Sequence, residues 1–250
     1  MGAQINFPPR ANNAMSGSQF GQFILNVPAT QQRDDLVLEQ CSLGNIPWWM
    51  NNLVPIKVID QTNTLIYFVS PDVLCIGGDT TDFLRVSLNG YSARKVCDMF
   101  SCILPTRRMS NQIWAAADLK LQPVGMGASS EMTSTKVLIE HNTIIENQRA
   151  GANFRLLTGH KKDIVICQHL LQDHTRLAIY GWHQLNGTPI QQLNSTSHYI
   201  GYQDYSSSIR LILQTAILNG NQVNLYDILN SQYSYLISDE GAFNATTAYR

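Results

Sequence analysis

Charge is scarce in this 250-residue chain: Asp, Glu, Lys and Arg make up only 14% of it, against about 25% in an average globular protein. With 17 cations and 18 anions the formal net charge is -1. No basic stripe is present to attract a polyanion, which argues against nucleic acid as a partner. Long apolar runs are missing too. Nothing approaches the roughly 18 residues of a membrane span. The first nine residues lack the basic-then-apolar plan of a signal peptide, and Asn6 stands where myristoylation of Gly2 prefers Ser or Thr. Cysteine is sparse: Cys41, Cys75, Cys97, Cys102 and Cys167 are too scattered for a disulfide scaffold. Cys75 and Cys167 sit in apolar runs and read as core side chains. Cys97 and Cys102 can pair if the chain is exported, and without a second pair they make a poor metal site.

The sequence does hold 44% hydrophobic residues, enough at this length for a full core. The outer surface must then be built from Asn, Gln, Ser and Thr. Residues 1–20, rich in Gly, Asn, Ser and Pro, read as an irregular N-terminal arm, and residues 21–250 as a single domain. A helical pattern over 31–43 stops at Gly44-Asn45. In the apolar knot that follows, Trp48 and Trp49 read as a plug at the core edge or as an aromatic platform for a sugar or peptide. Short β-favouring runs cover 54–60, 65–69, 73–76 and 83–88. Gly77-Gly78-Asp79 is a turn, since no Gly-Lys-Ser/Thr follows it. Helices are expected over 92–103 and over 107–119, the latter capped by Thr106. Beyond a flexible link at 124–130, a third runs from Thr133 or Ser134 to about Arg149, with Val137, Leu138, Ile144 and Ile145 on its buried side. Strands return at 163–168 and 176–182. Residues 209–218 and 222–225 read as a hairpin around Asn219-Gly220, followed by a helix over 226–236. The fold class is α+β, a mixed or mostly antiparallel sheet with several helices packed on it.

All six histidines, His141, His160, His169, His174, His183 and His198, lie in one stretch, and the first 140 residues have none. Histidine is the usual proton carrier near neutral pH and a common metal ligand. Gly159-His160-Lys161-Lys162-Asp163 leads into one strand candidate, and Tyr180-Gly181-Trp182-His183 leaves the next. Strand ends are where side chains converge without leaving buried backbone unsatisfied. If these strands pair, His160 or Asp163 meets His183 at a common rim, and His160, Asp163 and His183 form the candidate set. They would act there as an acid–base group, or as an N,O,N set for a zinc-like ion with a fourth position for water. The plain alternative makes Lys161, Lys162 and Asp163 a solvated turn. Downstream, Tyr202, Asp204, three serines and Arg210 suit a polar ligand pocket. Arg210 opens an apolar run, so it either grips a substrate carboxylate in two-pronged fashion or pairs with Asp204. Arg107 and Arg108 add cations at a helix N-terminus, an arrangement that holds a carboxylate or phosphate.

Six blocks, Leu104-Pro-Thr-Arg-Arg-Met109, Gly159-His-Lys-Lys-Asp-Ile-Val165, Ala178-Ile-Tyr-Gly-Trp-His183, Gly187-Thr-Pro-Ile-Gln191, Tyr202-Gln-Asp-Tyr-Ser206 and Ser238-Asp-Glu-Gly241, resemble an uncharacterised family of bacterial and phage-associated proteins. They are scattered over the second half of the chain or a little more, and they imply no activity. In that family Asp-Tyr-Ser is followed by His-Gly-[Ile/Val]-Arg, where this chain has Ser207-Ser208-Ile209-Arg210. The strand ending at His183 followed by Ser206–Arg210 is also similar in layout to the L,D-transpeptidases of peptidoglycan. Their cysteine nucleophile and its neighbouring histidine are missing here, so thiolate chemistry does not carry over. A weaker similarity to zinc D-Ala-D-Ala peptidases fails because His160 and Asp163 are too close and Tyr180 stands at the general-base position. The resemblance implies an extracytoplasmic location if a signal was removed, and a cytoplasmic one otherwise.

The expectation is a hydrolase-like enzyme acting on a polar peptide or glycan polymer such as peptidoglycan. His160, Asp163 and His183 would be its centre, with no cofactor or a single zinc-like metal. Tyr202, Asp204 and Arg210, with Arg107 and Arg108, would position the substrate. The alternative is a non-catalytic binding or structural module that keeps the pocket, a reading favoured by Ser207-Ser208.

Overall fold

Period-two burial marks the centre of the larger sheet. In the antiparallel pair β1 (Val54–Ile59) and β2 (Thr64–Val69), Leu65, Tyr67 and Val69 are fully buried while their neighbours are half-buried, the pattern of a strand with one face on a core. The computed structural model describes residues 3–249. Helices α1 (Gly17–Phe23) and α2 (Gln31–Ser42) precede this pair. After it come β3 (Cys75–Gly77), β4 (Phe83–Arg85), α3 (Gly90–Met99), β5 (Cys102–Ile103), α4 (Arg107–Ala116) and β6 (Leu119–Lys120). Then follow α5 (Thr135–Arg149), β7 (Leu157–Thr158), β8 (Lys162–Ile164), β9 (Arg176–His183) and β10 (Pro189–Tyr199). The chain closes with β11 (Ser207–Ser208), β12 (Ile212–Leu213), β13 (Thr215–Leu218), β14 (Asn221–Asn224) and α6 (Leu225–Leu229).

β1 covers one edge of β2, while β13 and β12 share the other. β14 flanks β13 and β5 flanks β12, completing an antiparallel six-stranded sheet. A second sheet runs β10-β9-β8-β11, antiparallel except where β11 joins β8. With 31% helix and 23% strand this is a single-domain α+β fold. Among the described residues, no helix is long and apolar enough to cross a membrane.

The helix starts follow from their caps. Asn89 accepts from Ser92 N, Thr106 from Met109 N and Ser134 from Val137 N, each satisfying an N–H the helix leaves free, for about 1 kcal/mol. The Asn219-Gly220 turn takes φ of 51° and 85°, the left-handed pair of a type I′ hairpin.

Several elements depart from the sequence reading. Of the expected arm, residues 3–16 are irregular before α1, and Ile5 and Phe20 belong to the main core, so the described part of the segment is built into the domain. The helix expected over 92–103 ends at Met99, and Ser101, at φ 51°, turns the chain into β5. α4 ends at Ala116, Ala117 turns extended, and Leu119, expected in the helix, opens β6. α5 buries Leu138, His141 and Ile145 rather than Val137 and Ile144. The C-terminal helix is α6 plus a 3-10 turn at Ser234–Leu236. β10 was not legible at all. The tryptophans divide: Trp49 is buried, and Trp48 is 64% exposed. All five cysteines are buried and free, Cys97 and Cys102 included.

Candidate functional site

β8 and β9 do pair, with Lys162 opposite Gly181 and Asp163 opposite Tyr180. Directly opposed residues share a face, so Asp163 and Tyr180 stand side by side. Tyr180 Oη donates to Asn111 Oδ1 of α4 at 2.9 Å, and His183 Nε2 lies 2.8 Å from the same oxygen. Regular strand alternation would turn Tyr180 and His183 to opposite faces. Positive φ at Gly181 (102°) and Trp182 (55°) breaks it, and the two rings meet edge-on at 5.6 Å. His183 also stacks on Trp114 of α4 at 5.8 Å. Donating to the amide oxygen places the His183 proton on Nε2, and burial lowers the ring's pKa to about 4, so it is neutral at pH 7. Asp163 is only partly buried; desolvation raises its carboxyl above the usual range, against the pull of Arg210. Arg107 opens α4 and pairs with Asp239 at 2.8 Å, and Arg108 beside it is partly exposed.

His160 belongs to a different set. Its ring is buried, with Nε2 2.9 Å from Asp72 Oδ1. Asp72 also meets Arg85 at 2.8 Å, and Arg85 reaches Glu146 at 2.9 Å. Desolvation alone would raise the Asp72 carboxyl, but Arg85 and His160 hold it well below the carboxylate range. Ionised Asp72 therefore accepts the Nε2 proton. Burial, joined by Arg85 and Arg210 and opposed by Asp72, brings the His160 ring to about 4.

The expected Asp204–Arg210 pair does not form. Arg210 is buried, and its guanidinium spans two backbone carbonyls, Ser70 O at 3.2 Å and Leu157 O at 2.9 Å. The carboxylates acting on it are Asp163 and Asp72. Asp204 instead faces Lys162 at 3.5 Å, accepts from the N–H groups of Ser206 and Ser207 at 2.8 and 3.0 Å, and accepts from Tyr202 Oη at 2.9 Å. Nor is 161–163 a solvated turn, because Lys161 and Lys162 are both buried. The Lys161 ammonium donates to the Tyr205 carbonyl, and burial lowers it to about 7.

The histidines thus scatter: His183 to Asn111, His160 to Asp72, His141 to the Val124 carbonyl at 3.1 Å, and His198 onto the Tyr202 ring at 4.0 Å. Of the expected triad, Asp163 and His183 share the face toward α4, and His160 is held elsewhere. Among the described residues no three His, Cys, Asp or Glu side chains come together in a group that could hold a metal ion. No family model, curated protein or solved structure matches this chain. The site rests on its own geometry.

That geometry includes residues the sequence reading passed over: Asn111 and Trp114 on α4, and Asp72 and Arg85 in the buried network. Arg85 carried a signal, being a cation within the run Phe83-Leu84-Arg85-Val86, the same signal that marked Arg210. Asn111 stands four residues after Arg107, one helical turn along the same face. Asp72 lies in an ordinary Ser-Pro-Asp turn and carried none.

Proposed function

We propose that the chain is a binding module for a polar peptide or glycan, taken up where α4 meets β8 and β9. The observation that carries this reading is the engagement of the charged groups expected to do chemistry. His160 holds Asp72, Asp204 holds Lys162 and two backbone N–H groups, and Arg210 holds two carbonyls. Arg107 and Arg108 remain partly open to solvent although Arg107 is paired with Asp239, and Asp163, accepting from Ser110, lies beside neutral His183, Tyr180 and Asn111. Charges of both signs beside hydrogen-bonding groups and an aromatic wall suit peptide ends or sugar hydroxyls.

A second reading, a hydrolase acting on the same kind of polymer, is favoured by Asp163. A carboxyl whose proton affinity burial raises, next to a tyrosine, suits general acid–base work. Asp163 and His183 are two donors where a catalytic zinc takes three, so this reading is framed without a metal.

Co-sedimentation with purified peptidoglycan sacculi tests both, with release of reducing ends and amino groups followed in the same samples. Binding alone predicts retention without release, weakened roughly tenfold, about 1.4 kcal/mol, by Arg107→Ala or Arg108→Ala at nearly unchanged Tm. Release that depends on Asp163 would establish the hydrolase. Absence of retention by the folded protein would remove peptidoglycan as the ligand.

A further inference from the structure

A cavity of about 610 Å³ opens between the 3-10 turn Trp48–Asn51, the paired ends of β1 and β2, and the chain leaving α5. None of the residues of the α4–β8–β9 face lines it. Its wall is aromatic. The Trp49 indole N–H donates to the Asp79 carbonyl at 3.1 Å, and the ring meets Phe83 edge-on at 5.1 Å and Phe154 at 6.2 Å. Phe68 adds a fourth ring. This volume and this mostly apolar lining with a few polar groups are those of a small-molecule site. Trp49 therefore serves both readings of the tryptophan pair, closing the core edge on one side and walling a cavity on the other.

Charge gives the cavity a sign. Two guanidinium groups, Arg149 and Arg155, line it, and no carboxylate does among the described residues. Arg149 is engaged, with Nε donating to Glu146 at 2.9 Å and the guanidinium over the Phe154 ring at 5.9 Å. Arg155 is not so held. Its side chain is 81% exposed, and among the described residues its only ion pair is with Asp118, at 3.8 Å, an exposed contact of a kind that contributes little. The Asp118 carboxylate is itself taken up by the backbone N–H groups of Arg155 and Leu156. A planar cation at the mouth of an apolar cavity is suited to gripping a carboxylate through two parallel hydrogen bonds.

We infer that this cavity binds a monocarboxylate with an apolar body of about ten carbons, the body against Trp49, Phe83 and Phe154 and the carboxylate on Arg155. The inference is independent of the polar face and stands or falls apart from it. Calorimetric titration of the full chain with decanoate tests it, with decanol as the neutral control. The expected result is one site for decanoate, weakened roughly tenfold, about 1.4 kcal/mol, by Arg155→Gln, with decanol binding unchanged by that substitution. Ala152→Trp, at an exposed position on the rim, is expected to abolish binding of both at an unchanged Tm. Equal affinity for decanoate and decanol, or decanoate binding that survives Arg155→Gln, would overturn the carboxylate assignment. No binding of millimolar decanoate by folded protein would overturn the site.

Discussion

Arg210 and Asp204 stand six positions apart, and a reader of sequence naturally joins them. The fold gives each a different set of partners. Arg210→Lys replaces a fork that spans two carbonyls by a point charge that cannot reach both. In a buried site this is expected to cost about 3 kcal/mol. Asp204→Asn removes the charge opposite Lys162 and weakens two N–H contacts, for about 1–3 kcal/mol. Because the two residues share no partner, the double variant should equal the sum of the singles within about 0.5 kcal/mol in urea unfolding. A coupling well above that would restore the pair. The same reasoning shows what pattern reading cannot reach at this scale. His160 and Asp72 are 88 residues apart, and no local spacing announces such a contact.

Elements were more legible than contacts wherever one face is buried or a cap is required. α4 starts after Thr106 as read and α5 after Ser134, one of the two starts expected, while the Asn219-Gly220 hairpin forms with a shorter first strand, Thr215–Leu218, because residues 212–213 pair separately with β2 and β5. β10 escaped notice because its residues are partly or fully exposed all along the strand, and a polar edge leaves no hydrophobic alternation to see. The β8–β9 pairing was foreseen. The broken alternation that brings His183 beside Tyr180 was not, because it needs positive φ at a tryptophan. Gly181 is the hinge of that arrangement. At φ 102° a Cβ would be strained and would lie 3.3 Å from His183 Cε1. Gly181→Ala is expected to destabilise by on the order of 1–2 kcal/mol and to push His183 off Asn111. NMR titration of the imidazole checks this: its pKa should rise from about 4 toward the ordinary 6.5. A His183 that still titrates near 4 in the variant would show that the glycine does not set its position.

For the molecule as a whole, protons taken up on unfolding shape stability. His141, His160 and His183 have pKa values of about 2, 4 and 4 in the fold, against 6.5 in the open chain. Below pH 6.5 the unfolded chain gains protons that the fold refuses, so this contribution is complete above 6.5 and is lost as pH falls. By pH 4 the loss is on the order of 3 kcal/mol per histidine. Asp34, Asp163 and Glu240, whose carboxyls burial pushes up, take protons first in the fold and offset part of it. Lys161, lowered from 10.5 to about 7, extends the rise in stability into the alkaline range. The five cysteines, raised by burial, reverse it once the open chain's thiols ionise near 9, and Tyr67 and Tyr249, raised likewise, deepen the fall near 10. The Tm should climb from pH 4, peak between about 7 and 9 and decline beyond. A Tm that stays flat from pH 4 to 7 would contradict three neutral buried histidines.

The buried network also has a birth order. Asp72, Arg85 and Glu146 are made early, and His160 and Arg210 come late. The strands β12 and β13, which cover the second edge of β2, come later still. A ribosome adding about 5–20 residues per second needs roughly 7 to 28 s to pass from residue 72 to residue 210. Throughout that interval the nascent chain carries an uncovered hydrophobic strand edge, and for the first 88 residues of it a carboxylate still waiting for its imidazole. Folding of the central sheet therefore waits for the synthesis of residues 212–218, and a nascent chain that stops short of them is a ready client for a chaperone.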